Sequence, residues 1–209
     1  NEYLNYGPWL HRARKFKYFV EDRILIQEIT GGNPPRISAV NYSGKLFHDP
    51  GIISCLNIST LETKYLLALI NSKLLSWYNI MTSPKGNRLT FPKVLIGDIR
   101  KLPIFESSTT EQNKIVEKVD KQIFLNKNIQ EQSQKFQRTI QRKFELEDLP
   151  KKLQDWYKLT YPEFIKELGK KKVKLSLSQE AEWEDYFITE SKKALEIQSQ
   201  IDATDKAID

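Results

Sequence analysis

Apolar positions in the first hundred residues fall in short runs separated by turn residues. "RILIQEIT" (23–30) has a β-branched apolar rhythm, Gly31-Gly32-Asn33-Pro34-Pro35 interrupts it, and "RISAVNY" (36–42) resumes it. That pattern predicts a strand, a loop and a strand. Ser43-Gly44 marks a further turn, and "GIISCLNIS" (51–59) predicts a third strand buried on both faces. The period then changes. In "TLETKYLLALINSKLLSWYNIM" (60–81), Leu66, Leu67, Leu69, Ile70, Leu74, Leu75, Tyr78 and Met81 form one broad apolar face at helical spacing. Thr60 and Thr63 are its candidate caps, and the helix should lie on the sheet. A polar loop follows, then a short strand around "KVLIG" (93–97).

The pattern alters again near Glu106. From Glu111 to Phe144 there is neither Gly nor Pro, which predicts one long helix with Ser108, Thr109 and Thr110 offering caps. Its four-three seam runs Ile115, Val119, Gln122, Asn126, Ile129, Ser133, Phe136, Ile140, with a polar middle. Pro150 ends that segment and a short helix is expected near 151–158. Thr160 with Glu163 reads as a capping box and Pro162 sits in the first turn of another helix, closed by Gly169 and Lys170–Lys172. Ser178 is the expected cap of a final helix with the seam Trp183, Phe187, Glu190, Ala194, Ile197, Ile201, Thr204, Ile208. Two such seams predict an antiparallel helical pair. The last seam still runs at Asp209, as in a chain that continues within a larger protein. The expected fold class is α+β: a small mixed sheet with a packed helix over 1–106, then a long-helix antiparallel spacer over 107–209.

Composition sharpens this in one respect. The chain has 209 residues and a formal net charge of +6 at pH 7. Residues 1–104 carry 14 Lys and Arg against 7 Asp and Glu, and the remainder 19 against 20, so the positive excess lies wholly in the first half. Such asymmetry points to a polyanion, most commonly nucleic acid, against the plainer reading of a solubilising charge bias. No apolar stretch is long enough for a transmembrane helix, so no membrane partner is expected. The lone Cys55 fits a cytoplasmic location.

Residues that could do chemistry are few. His11 and His48 are the only histidines, no nucleophile or phosphate-loop motif occurs, and two His with Cys55 make a poor zinc set. The pairs Glu182/Asp185 and Glu145/Asp148 read as solvated helix charges. Asn33-Pro34-Pro35-Arg36 is similar to the Asn-Pro-Pro-aromatic motif of DNA amino-methyltransferases, but Arg36 stands where the stacking ring should be. A turn explains it better.

Basic residues interleaved with aromatics are more informative. "WLHRARKFKYF" (9–19) sets Arg12, Arg14, Lys15 and Lys17 among Trp9, Phe16, Tyr18 and Phe19. Those cations are candidates for phosphate clamping, and the alternative is an amphipathic lead-in with solvated charges. Loop 83–93 gathers Lys85, Asn87, Arg88 and Lys93 around Gly86 with no acid nearby in sequence. Arg can pair bidentately with guanine and Asn with adenine. Asn33, Arg36, Lys85, Asn87 and Arg88 are the candidates for groove contacts, and Lys93 is a further DNA-binding candidate.

Lys64-Tyr65-Leu66-Leu67-Ala68-Leu69-Ile70-Asn71-Ser72-Lys73-Leu74-Leu75, followed by Ile96, Asp98, Ile99, Leu102, Pro103 and Ile104, resembles the C-terminal specificity domain of TaqI-type DNA adenine methyltransferases. "YGPWL", "KYF" and "RILIQEITG" look like the entry to that domain. "EQNKIVEKVDKQI" (111–123) is similar to the helix that follows target-recognition domains in type I specificity subunits. The region 152–187 resembles the C-terminal part of fused type IIG restriction–modification polypeptides. The resemblance implies a non-catalytic fragment that selects a double-stranded DNA sequence for a methyltransferase domain of the same parent chain. S-adenosylmethionine and Mg2+ are implied for that parent, with an endonuclease, and no cofactor for this fragment. A rival reading is a helical protein–protein interaction module without direct DNA readout.

Overall fold

The computed structural model describes residues 6–10 and 13–209, and the chain divides into two compact units. One runs up to Val119 and includes Ile208 and Asp209; the other is Asp120–Ala207. The protein is α+β, with a three-stranded sheet and several helices.

In the first unit a short helix α1 (Lys17–Val20) leads into β1 (Arg23–Gln27). β1 is the centre of an antiparallel sheet, with β2 (Ala39–Tyr42) on one side and β3 (Ile52–Cys55) on the other. Arg23 to Ile26 are all buried, as a central strand covered on both faces requires. Ile24 and Ile26 join Ile37, Ile53, Leu67, Ile70, Leu75, Val94, Leu102 and Val119 in one core. Each such aliphatic side chain contributes about 1.5–3 kcal/mol on burial. β3 is an edge strand in which only Ile53 is fully buried, so the expectation of two buried faces fails there.

The helix expected over 60–81 is two helices, α2 (Thr63–Asn71) and α3 (Lys73–Thr82). Ser72 between them is extended, with φ −64° and ψ 152°. The cause lies outside the helix. The Asn71 side chain accepts from Ala39 N (2.8 Å) and donates to Ala39 O (3.0 Å), pairing with β2. Ser72 Oγ then caps α3 by accepting from Leu75 N at 3.1 Å. With the axis broken, the single apolar face does not form: Leu75 is buried, but Leu74 and Met81 are exposed. Neither Thr60 nor Thr63 caps α2, whose N-cap position is Glu62.

No strand forms around "KVLIG" either. Ile29 and Lys93 make an isolated antiparallel bridge, after which the chain turns into the short helix α4 (Ile96–Ile99). The Asp98 carboxylate drives the turn by accepting from Leu95 N at 2.9 Å. α5 (Thr109–Phe144) starts in this unit, where Gln112 is buried and accepts from Glu62 N at 2.9 Å.

In the second unit, α5 from Asp120 onward buries Leu125, Ile129, Ser133, Phe136 and Ile140. Leu125 takes the inward position expected of Asn126, which is exposed, while Gln122 is half-buried. After α5 come α6 (Lys151–Gln154), a 3-10 turn (Trp156–Lys158), α7 (Tyr161–Lys170) and α8 (Leu177–Ile208). Leu125 and Ile129 pack with Ile201, while Phe136 and Ile140 pack with Trp183 and Phe187, so α5 and α8 are antiparallel here. The Phe136 and Trp156 rings stack at 3.6 Å, and Phe164 and Phe187 at 4.8 Å. Thr160 and Glu163 form their capping box at 2.8 and 2.9 Å. α8 is capped by Ser176 rather than Ser178: Ser176 N donates to Gln179 Oε1 at 3.0 Å, and Gln179 N to Ser176 Oγ at 3.4 Å.

Candidate nucleic-acid interface

The loop after α3 is held at its base and open at its tip. Ser83 N donates to Asn79 O, closing the end of α3, and Ser83 Oγ donates to Asp98 Oδ2 at 3.0 Å. The same hydroxyl accepts from Lys85 N and Gly86 N, both at 3.3 Å. Gly86 presses on the helix end so closely that a Cβ there would sit 2.5 Å from Asn79 O. On the return, Lys93 N donates to Lys85 O (2.9 Å), Thr30 N to Pro92 O (2.9 Å) and Val94 N to Glu28 O (2.9 Å). Between these anchors Asn87, Arg88, Leu89, Thr90 and Phe91 are all exposed. The stem ties the loop to α3 and to the segment just after β1 and leaves the tip facing solvent, the arrangement that suits a recognition loop on a rigid scaffold.

The candidate cations separate into two sets. Among the described residues Lys85 and Arg88 make no salt bridge, and Asn87 and Arg88 are exposed on the tip. Lys93, expected to have no acid nearby, pairs with Glu28 at 3.3 Å across the isolated bridge. Arg36 donates to Asn71 O at 2.9 Å and pairs with Asp209 at 3.5 Å, so its guanidinium is turned onto the fold. Asn33 is exposed in a loop closed by Arg36 N donating to Gly31 O at 2.7 Å.

Arg14 braces the sheet edge by donating to Ile52 O at 3.1 Å, and its own carbonyl accepts from the Tyr6 hydroxyl. Lys15 and Lys17 are exposed, and Lys17 Nζ lies 5.5 Å from the Tyr18 ring centroid. Beside them Phe16, Tyr6, Phe19 and Phe47 form an aromatic cluster, over which Lys45 Nζ sits 5.4 Å from the Phe47 centroid. Arg12 and His11 lie outside the described residues.

Two residues with no predicted role are structural keys. Arg23, the first residue of an apolar strand, is completely buried. Its guanidinium donates to Phe19 O (2.9 Å), Gly44 O (2.9 Å), Leu46 O (3.2 Å) and Glu21 O. A charged residue opening the run "RILIQ" is its only signal in the sequence. Asp209 is the other: Oδ1 accepts from Lys73 N and Oδ2 from Lys73 Nζ, both at 2.7 Å. Burial pushes its carboxyl up, but the Lys73 bonds and Arg36 outweigh that and hold it below the usual carboxylate range.

Among the described residues no three His, Cys, Asp or Glu side chains gather as a metal site. His48 sits between Asp49 O (2.9 Å) and Ser54 Oγ (2.7 Å). Burial pushes the Cys55 thiol up, against the opposing charge of Arg100. No described helix is long and apolar enough to cross a membrane.

By its fold, the first unit is a sheet-and-helix platform carrying a stem-closed basic loop. Residues 1–104 match the family model of the TaqI-like C-terminal specificity domain, and this stretch of the chain belongs to that family. Such domains are specificity parts of restriction–modification enzymes, so DNA target recognition is supported at the level of the family, by a domain that is not itself catalytic. Residues 108–209 match a domain family of unknown function (DUF8810). Comparisons with curated proteins and with solved structures find no match.

Proposed function

We propose that residues 1–106 read a double-stranded DNA sequence on behalf of an adenine methyltransferase domain of the same parent chain. Residues 107–209 serve as its helical spacer. The parent is then a type IIG restriction–modification enzyme of the cytoplasm, using S-adenosylmethionine for methyl transfer and Mg2+ for cleavage. The observation that carries this reading is the loop at 84–93, whose stem is fixed while Asn87 and Arg88 stand exposed. Lys85 and Arg88 hold phosphates or a guanine edge, and Asn87 suits an adenine edge. Lys15 and Lys17 add backbone contacts. Arg14, Arg36 and Lys93 support the platform instead, because each already has a protein partner.

Mapping methylated sites in cells carrying the full-length parent tests this. Asn87→Ala and Arg88→Ala are expected to relax the methylated sequence at single positions, each by about 1–3 kcal/mol of discrimination. An unchanged methylation motif in both variants overturns the assignment of this loop.

A second reading concerns the helical unit alone. Ile188 and Leu195 are exposed on α8 beside an open, largely apolar groove of about 660 Å³ lined by Tyr161, Phe187 and Ser191. That surface would suit a protein–protein interaction module. Sedimentation of the chain with and without a DNA duplex distinguishes the two, since self-association through this unit with no DNA binding favours the module.

A further inference from the structure

The tip of the basic loop carries two large apolar side chains that the fold does not use. Leu89 is fully exposed and Phe91 is 67% exposed, on either side of Thr90. Scattered exposed apolar residues are ordinary. These two differ in three respects. They occupy the outermost turn of a loop whose base is fixed by backbone hydrogen bonds on both limbs. Phe91 has φ 51°, a left-handed conformation unfavourable for a bulky aromatic and retained where surrounding structure imposes it. Arg88 directly precedes Leu89, and Lys85 stands at the stem, both without a salt bridge among the described residues.

Apolar side chains at the tip of a rigid, cation-flanked loop match the chemistry of a wedge. Cations seat the loop on the phosphates, while an aliphatic or aromatic side chain enters between neighbouring base pairs and unstacks them. An opened base step would cover that apolar surface, and the wedge would contribute most at flexible pyrimidine–purine steps. We propose that Leu89 and Phe91 insert into the base stack of the bound duplex, partly unstacking one step beside the bases read by Asn87 and Arg88. This inference rests on the reading of the loop as a DNA contact.

The test uses the whole chain and a pool of random-sequence duplexes enriched by capture on it. Bound duplexes are treated with permanganate and diethyl pyrocarbonate, which report unstacked thymines and purines. The wild-type chain is expected to create one hyperreactive step. Leu89→Ala/Phe91→Ala should abolish that reactivity and weaken binding about fivefold or more, with the salt dependence retained. Phe91→Tyr, which keeps the ring, should preserve the reactivity. Binding without a hyperreactive step, or reactivity that survives Leu89→Ala/Phe91→Ala, overturns the wedge and leaves the DNA reading standing. Failure of the wild-type chain to bind any duplex overturns both.

Discussion

Two loops of the first unit look alike in sequence and differ in what they can bind. Residues 31–36 and 84–93 both combine Gly, Pro, Asn and Arg, and both are closed by a backbone bond, of 2.7 Å at Arg36 and 2.9 Å at Lys93. In the first loop the cation turns inward, onto the carbonyl that ends α2 and the carboxylate of Asp209. In the second, the Glu28 carboxylate pairs with Lys93, and among the described residues no acid pairs with Lys85 or Arg88. The positive charge of a sequence is thus an upper bound on the charge available to a ligand. Acceptors brought in from remote parts of the chain decide how much of it remains.

The sharpest break of that comparison is at Arg23, a cation completely buried in the fold. Arg23→Ala removes the guanidinium donor from the carbonyls of Glu21, Gly44 and Leu46 and leaves Phe19 O with Leu46 N. Urea unfolding should show a loss of about 3 kcal/mol or more. Next is Gly86→Ala. The new methyl would meet Asn79 O at 2.5 Å, so the loop base must shift. A stability loss of about 1–3 kcal/mol is expected, together with weaker DNA binding, because the tip is aimed by that close approach.

The inward cation should matter least. Its bond to Asp209 is partly solvated, with side-chain exposures of 35% and 12%, so Arg36→Ala should lower stability by at most about 1 kcal/mol. Asp209 adds a pH signature. Its folded carboxyl titrates below its ordinary value, so its contribution is complete above that value and disappears as pH falls through the depressed one. In acid titrations of stability, Asp209→Asn should remove that part of the slope and leave the neutral region flat.

Local chemistry is legible in the sequence and remote chemistry is not. The Thr160–Glu163 box, Pro162 and the α5 and α8 seams depend on groups within a turn or two, and their pattern is visible in one segment. The break at Ser72 depends on Asn71 reaching Ala39, and the turn at Asp98 in place of a "KVLIG" strand is fixed from a distance by Ser83. At the site, Lys85, Asn87 and Arg88 are legible as an acid-free basic loop. Lys93 with Glu28 and Arg36 with Asp209 are not, because those partners are distant in sequence. Leu89 and Phe91 give no signal of their own, because an apolar residue in a loop reads as core until its exposure is known.

The central claim is that Lys85 and Arg88 contact DNA, on phosphates or a guanine edge, while Arg36 serves the fold. Binding of the enriched duplex measured across a salt series tests it most directly. Lys85→Ala/Arg88→Ala should lower the steepness of log K against log salt by about 0.9 for each phosphate that is no longer neutralised, and Arg36→Ala should leave it unchanged. Equal slopes for the wild-type chain and the double variant, or a slope that flattens only with Arg36→Ala, would contradict the account.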